Sequence, residues 1–99
     1  MSKVTKEGTK VVVKPDQNIV ASMAQDFKKE LRNLLDGSVK ELAVDLENVK
    51  MVDSSGLGVL IAAHNSLQKD NASLELSNIS DDILKLLKNM RLDKHFIIK

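Results

Sequence analysis

The chain has 99 residues, 42% of them hydrophobic and 29% charged, with a formal charge of +1. That length suits one compact domain, residues 1–99, with a modest core, and the mixture is that of a folded rather than a disordered chain. Interspersed acids and bases give no reason to expect nucleic acid or a membrane as partner, and Phe27 and Phe96 alone cannot form a base-stacking platform. Cysteine is absent, which excludes disulfides, thiolate catalysis and thiolate metal sites. His64 and His95 lack the paired spacing of a zinc site, so no metal or cofactor is expected. The polar start "MSKVTKEGTK" does not read as a signal peptide, and the longest apolar run, "GLGVLIAA", is too short to cross a bilayer. The setting expected is cytoplasmic.

In chain order, a strand is expected around Val4, and a β-branched run, "KVVVK", predicts a second strand stopped by Pro15. In "IVASMAQDFKKELRNLL", Val20, Met23, Phe27, Leu31 and Leu34 recur at steps of three and four, the stripe of an amphipathic helix. Asp16 or Asn18 is expected to cap its start, and Gly37 to end it. "ELAVDL" alternates as a strand. From Ser55 to Lys69 the period becomes helical again, with Leu57, Leu60, Ile61, His64 and Leu67 on one stripe. "ASLELS" is the next strand. "SDDILKLLKNM" is a helix capped by Ser80, with acids in its first turn and a stripe of Ile83, Leu86, Leu87 and Met90. "HFIIK" predicts a last strand. Strands alternating with helices predict an α/β fold: a mixed sheet of four to five strands with about three helices packed on it.

The stretch "VDSSGLGVLI" joins a strand to a helix, and two readings of it stand side by side. Asp53, Ser54, Ser55, Gly56 and Gly58 supply what a tight, capped turn needs. Two glycines in a first helical turn nevertheless cost about 0.5–1 kcal/mol each relative to alanine, which invites a further reason such as close approach by another molecule. Enzyme readings fail on spacing. A hydrolase elbow needs glycine two places before its serine. A phosphate-binding loop needs a lysine after its last glycine, where Val59 stands. Nothing puts His64 within reach as a base, and a receiver domain would need an acidic pair where "VVVKPD" offers one acid. A hydroxyl that receives a phosphoryl group fits better, because the N–H groups and dipole of a helix start tolerate the added charge.

With these residues in view, "DLENVKMVDSSGLGVLIAAHNSLQK" resembles the signature of STAS domains, and most closely that of bacterial anti-sigma factor antagonists. The resemblance implies that Ser54 is the phosphoacceptor, that Asp53 shapes enzyme access to it, and that Ser55 is the capping hydroxyl beside it. Asp16 falls where the family carries an acid near that site, although "KPDQNIV" departs from the family's usual surroundings. With Gly56 and Leu57, these residues form the expected partner-binding set; Leu57 could be an exposed contact or lie buried under the sheet. The implied mechanism is partner switching. The unphosphorylated chain binds an anti-sigma factor or related serine kinase, phosphorylation ends the binding, and a serine phosphatase restores it. The chain is then substrate and ligand and catalyses nothing. The alternative is a non-phosphorylated STAS interaction subunit of a transporter or other signalling complex. The family's further helix after the last strand is missing from the sequence, which would uncover surface for self-association or another partner. His64 is expected as a satisfied, half-buried histidine.

Overall fold

A computed structural model describes residues 2–99. Five strands, β1 (Ser2–Glu7), β2 (Lys10–Pro15), β3 (Glu41–Asp45), β4 (Ser73–Ser77) and β5 (Ile97–Ile98), alternate after the first pair with helices α1 (Ala21–Leu34), α2 (Ser54–Lys69) and α3 (Asp81–Asn89). The strands lie side by side in chain order. β1 and β2 form an antiparallel hairpin, turned at Gly8, whose φ of 59° a β-carbon would oppose. From β2 to β5 every pairing is parallel.

Parallel neighbours need crossovers, and right-handed crossovers that all advance in one direction put their helices on one face of the sheet. The burial pattern agrees. Val11, Val13, Leu42, Val44, Leu74 and Leu76 are buried at alternate positions, while Lys10, Glu41, Asp45 and Glu75 point the other way. Against the covered face pack Phe27 and Leu31 of α1, Leu57, Leu60 and Leu67 of α2, and Ile83 and Leu87 of α3. α3 starts as the sequence predicts: the Ser80 hydroxyl accepts from the Ile83 N–H, and Asp81 and Asp82 occupy the positive end of the helix.

Three local expectations are corrected. Neither Asp16 nor Asn18 caps α1, whose cap position is Val20 and carries no side-chain cap of its own. Met90 is not in the stripe of α3. The helix stops at Asn89, and Met90 at its cap position is 49% exposed. The last strand contracts to Ile97 and Ile98, because Asp93 to Phe96 form a turn that folds back on α2. In that turn His95 stacks on His64, with ring centres 5.6 Å apart and planes within 11°, and Phe96 meets His64 edge-on. Burial and the neighbouring His95 hold the pKa of His64 below its ordinary value. His64 is thus half-buried, as expected, and packs against two rings.

Candidate functional site

The site grows from two loops at the carboxyl ends of adjacent parallel strands, one after β2 and one after β3. The Asn18 side chain reaches across and accepts from the Lys50 and Met51 N–H groups, at 2.8 and 3.1 Å. Ile19 and Val52 then pair as a short parallel bridge, with the Ile19 N–H donating to the Met51 carbonyl and the Asp53 N–H to the Ile19 carbonyl. Asn18 was expected to cap a helix; its side chain instead holds these two loops together.

Asp53 completes the clasp. One carboxylate oxygen accepts from the Gly56 N–H and so caps α2; the other accepts from the Ala21 N–H and caps α1, both at 2.9 Å. The two bonds favour the ionised carboxylate and hold its pKa below the ordinary value. Ser55, expected as the capping hydroxyl, is therefore corrected. It lies inside the first turn of α2 with its side chain exposed, and the capping group is Asp53.

The glycines separate by role. Gly56 is buried, and a β-carbon there would stand 2.1 Å from the Ile19 carbonyl oxygen and 2.9 Å from Ile19 Cγ2. Only glycine lets α2 start this close to the Ile19 backbone. The close approach that its cost implied is made by the chain itself. Leu57 is 3% exposed and belongs to the core, so neither Gly56 nor Leu57 can be a surface contact. Gly58 is the reverse case: it is exposed, and an added β-carbon would meet nothing within 4 Å. Sequence reasoning did not single out Gly58 as a partner residue, although its uncompensated cost in a helix was the available signal.

Ser54, Ser55 and Gly58 thus present an open corner on a rigidly held helix start. Asp16 is exposed on the β2–α1 loop and lines a shallow hollow with Lys14 and Asn48. Ser55 and Gly58 line a different one, between α1 and α2. Among the described residues no three His, Cys, Asp or Glu side chains converge as a metal site would require, and no helix is long and apolar enough to cross a membrane. The chemistry available at the corner is that of an accessible hydroxyl at the positive end of a helix whose Gly56 N–H is already held by the Asp53 carboxylate.

A family model described as STAS domain matches residues 1–99. Over 46 residues the chain is 35% identical to the anti-sigma-B factor antagonist of Bacillus subtilis, a match that covers 46% of this chain and 42% of that protein. In structure it superposes on a Thermotoga maritima protein described as a candidate anti-sigma factor antagonist, with a TM-score of 0.91 at 21% identity, covering 98% of this chain and 84% of the other. The Bacillus cell fate determinant SpoIIAA in its phosphorylated form gives 0.78 at 16% identity, over 100% and 91% of the two chains. A murine anion transporter, Slc26a9, gives 0.75 at 17% identity, over 86% of this chain and 14% of the transporter. Identities this low between the structures speak for the fold alone.

Proposed function

Because this chain belongs to the STAS domain family, we propose that it is a partner-switching module of the anti-sigma factor antagonist type, controlled by phosphorylation of Ser54. The observation that carries this reading is the exposed Ser54 at the first position of α2, on a turn fixed by the double cap of Asp53 and the contact of Gly56 with Ile19. The unphosphorylated corner docks an anti-sigma factor or related serine kinase. Transfer of a phosphoryl group adds a charge of about −1.5 to −2 at a helix start that tolerates it. The fold persists, while a dianion without a partner in the interface costs several kcal/mol to desolvate and so breaks the complex. A serine phosphatase returns the chain to its binding state. The partial match to the anti-sigma-B factor antagonist and the fold shared with phosphorylated SpoIIAA support this reading.

Incubation with a genomically linked kinase and ATP, followed by mass spectrometry, tests it. Wild type is expected to gain one phosphoryl group and Ser54→Ala none; label that persists in Ser54→Ala overturns the assignment. Ser54→Asp is expected to fold normally and to bind the kinase at least tenfold more weakly. The likeness to the Slc26a9 transporter supports a second reading, a docking subunit that is never phosphorylated. Binding to a permease fragment with no labelling by any linked kinase would favour it.

A further inference from the structure

The groove between α1 and α2 begins at Ser55 and Gly58 and runs along both helices. Its first hollow, lined by Ser55, Gly58, Gln25 and Lys28, shares Lys28 and Val59 with a second. That second hollow, of about 130 Å³, has Leu31, Leu35, Val59 and Ala63 for its apolar lining and Lys28 and Arg32 for its cations. A dry apolar cavity of roughly 150 Å³ accommodates a benzene ring, so this one has room for a single bulky apolar side chain.

The charge around the groove is one-sided. No acid lines either hollow, although α1 carries Asp26 and Glu30; both of these line a separate hollow on the other side of the helix, with Lys29. Lys28 and Arg32 are thus the charged side chains that line this groove, and the nearest acid, Asp53, is tied to the Ala21 and Gly56 N–H groups at its far end. Gly58 adds an independent indication. It costs helix stability, its β-carbon position is empty, and nothing within the chain requires it. It does allow the backbone of a bound segment to approach α2 closely beside Ser55.

We propose that this groove docks an acidic segment of a partner protein, with one bulky apolar side chain seated between Leu31, Leu35, Val59 and Ala63 and flanking carboxylates against Lys28 and Arg32. The proposal rests on the partner-switching reading and gives the occupant a sign. An anionic segment ending beside Ser55 is one that a phosphate on the adjacent Ser54 repels, well within a Debye length.

Selection of a displayed library of random 12-residue peptides against the full-length, unphosphorylated chain tests the groove without kinase or nucleotide. The expected consensus is a bulky apolar residue flanked by Asp or Glu, and the amide shifts induced by a synthetic consensus peptide should map to Leu31, Leu35, Val59 and Ala63. The double variant Lys28→Glu/Arg32→Glu should weaken binding at least tenfold, and added salt should weaken wild-type binding. Ala62 also lines the hollow, so Ala62→Phe, which fills it and leaves both charges, should likewise weaken binding at least tenfold. Circular dichroism establishes that each variant is folded. Basic or uncharged consensus peptides, shifts elsewhere on the domain, unchanged affinity in the folded variants, or no enrichment each overturn the proposal. So does self-association of the wild type that the double variant abolishes, because the groove would then be an interface between copies. These outcomes leave the labelling of Ser54 untouched, so the failure of one reading is distinguishable from the failure of the other.

Discussion

Gly56→Ala and Gly58→Ala are the same chemical change two residues apart, and the structure assigns them opposite signs. In a helix interior alanine is favoured over glycine by about 0.8–1 kcal/mol. At Gly58 nothing opposes that gain, since the new methyl group enters open space. Gly58→Ala should therefore be more stable by up to about 1 kcal/mol, or a rise in melting temperature of roughly 4–8 °C for a domain of this size. At Gly56 the methyl carbon would stand 2.1 Å from a backbone oxygen, which cannot swing aside as a side chain would. Relief requires the Ile19 backbone to move away from α2, which strains the Ile19-to-Met51 and Asp53-to-Ile19 hydrogen bonds. Overpacking costs about 1–3 kcal/mol and each lost hydrogen bond about 1 kcal/mol more. Set against the helix gain, Gly56→Ala should be less stable by about 2–4 kcal/mol. Urea unfolding followed by circular dichroism reads both changes as shifts of the midpoint at constant slope. A Gly56→Ala variant as stable as wild type would show that the Ile19 contact does not hold the turn. A Gly58→Ala variant that lost stability would show that Gly58 serves the fold after all, and would remove one support of the groove.

Further outcomes follow from the caps and the histidines. Ser80→Ala removes a single cap bond and should cost about 1 kcal/mol, whereas Asp53→Ala removes the acceptor from two helices and should shift the urea midpoint further; an equal or smaller shift would refute the shared cap. The lowered pKa of Asp53 means that its contribution is fully present above its ordinary value of 3.8 and lost as pH falls through the lower folded value. An Asp53→Asn variant should accordingly show a flatter acid limb in unfolding experiments below pH 3.8. His64 also has a lowered pKa, but it is a base, so the unfolded chain binds its proton more readily. Its contribution is whole above the ordinary value of 6.5 and is lost as pH falls below it, and His64→Gln should reduce the loss of stability between pH 8 and pH 5. A pH dependence over that range that was the same in wild type and His64→Gln would contradict the lowered pKa of His64.

Much of this architecture was legible because it is written in local periods. The alternation of Leu42, Val44 and Leu46, the three-and-four spacing from Met23 to Leu34, and Ser80 ahead of two acids each report on neighbours within a turn or a strand. The site was legible in location but not in the division of labour. Leu57 could be read as core or as contact because a helix stripe does not say which helix faces the sheet at its first turn; the sheet buries it. The requirement for glycine at position 56 is imposed by Ile19, which lies far upstream, and no window along the sequence contains both. The second bond of Asp53 and the reach of Asn18 cross the same gap. Met90 fits the stripe of α3 by spacing, yet the helix unwinds one residue before it, so its side chain leaves the core.

The shared carboxylate of Asp53 has a consequence for motion. Helix ends normally fray independently, each exchanging its first amide protons with solvent at its own rate. Here the amides of Ala21 and Gly56 lean on two oxygens of one side chain, so an excursion that frees the carboxylate from α2 also releases the first turn of α1. The two turns should open as one unit, with matched protection against hydrogen exchange despite their separation along the chain. An event at Ser54 that disturbs its own turn would then be felt at the start of α1, where Ala21 and Gln25 border the same groove.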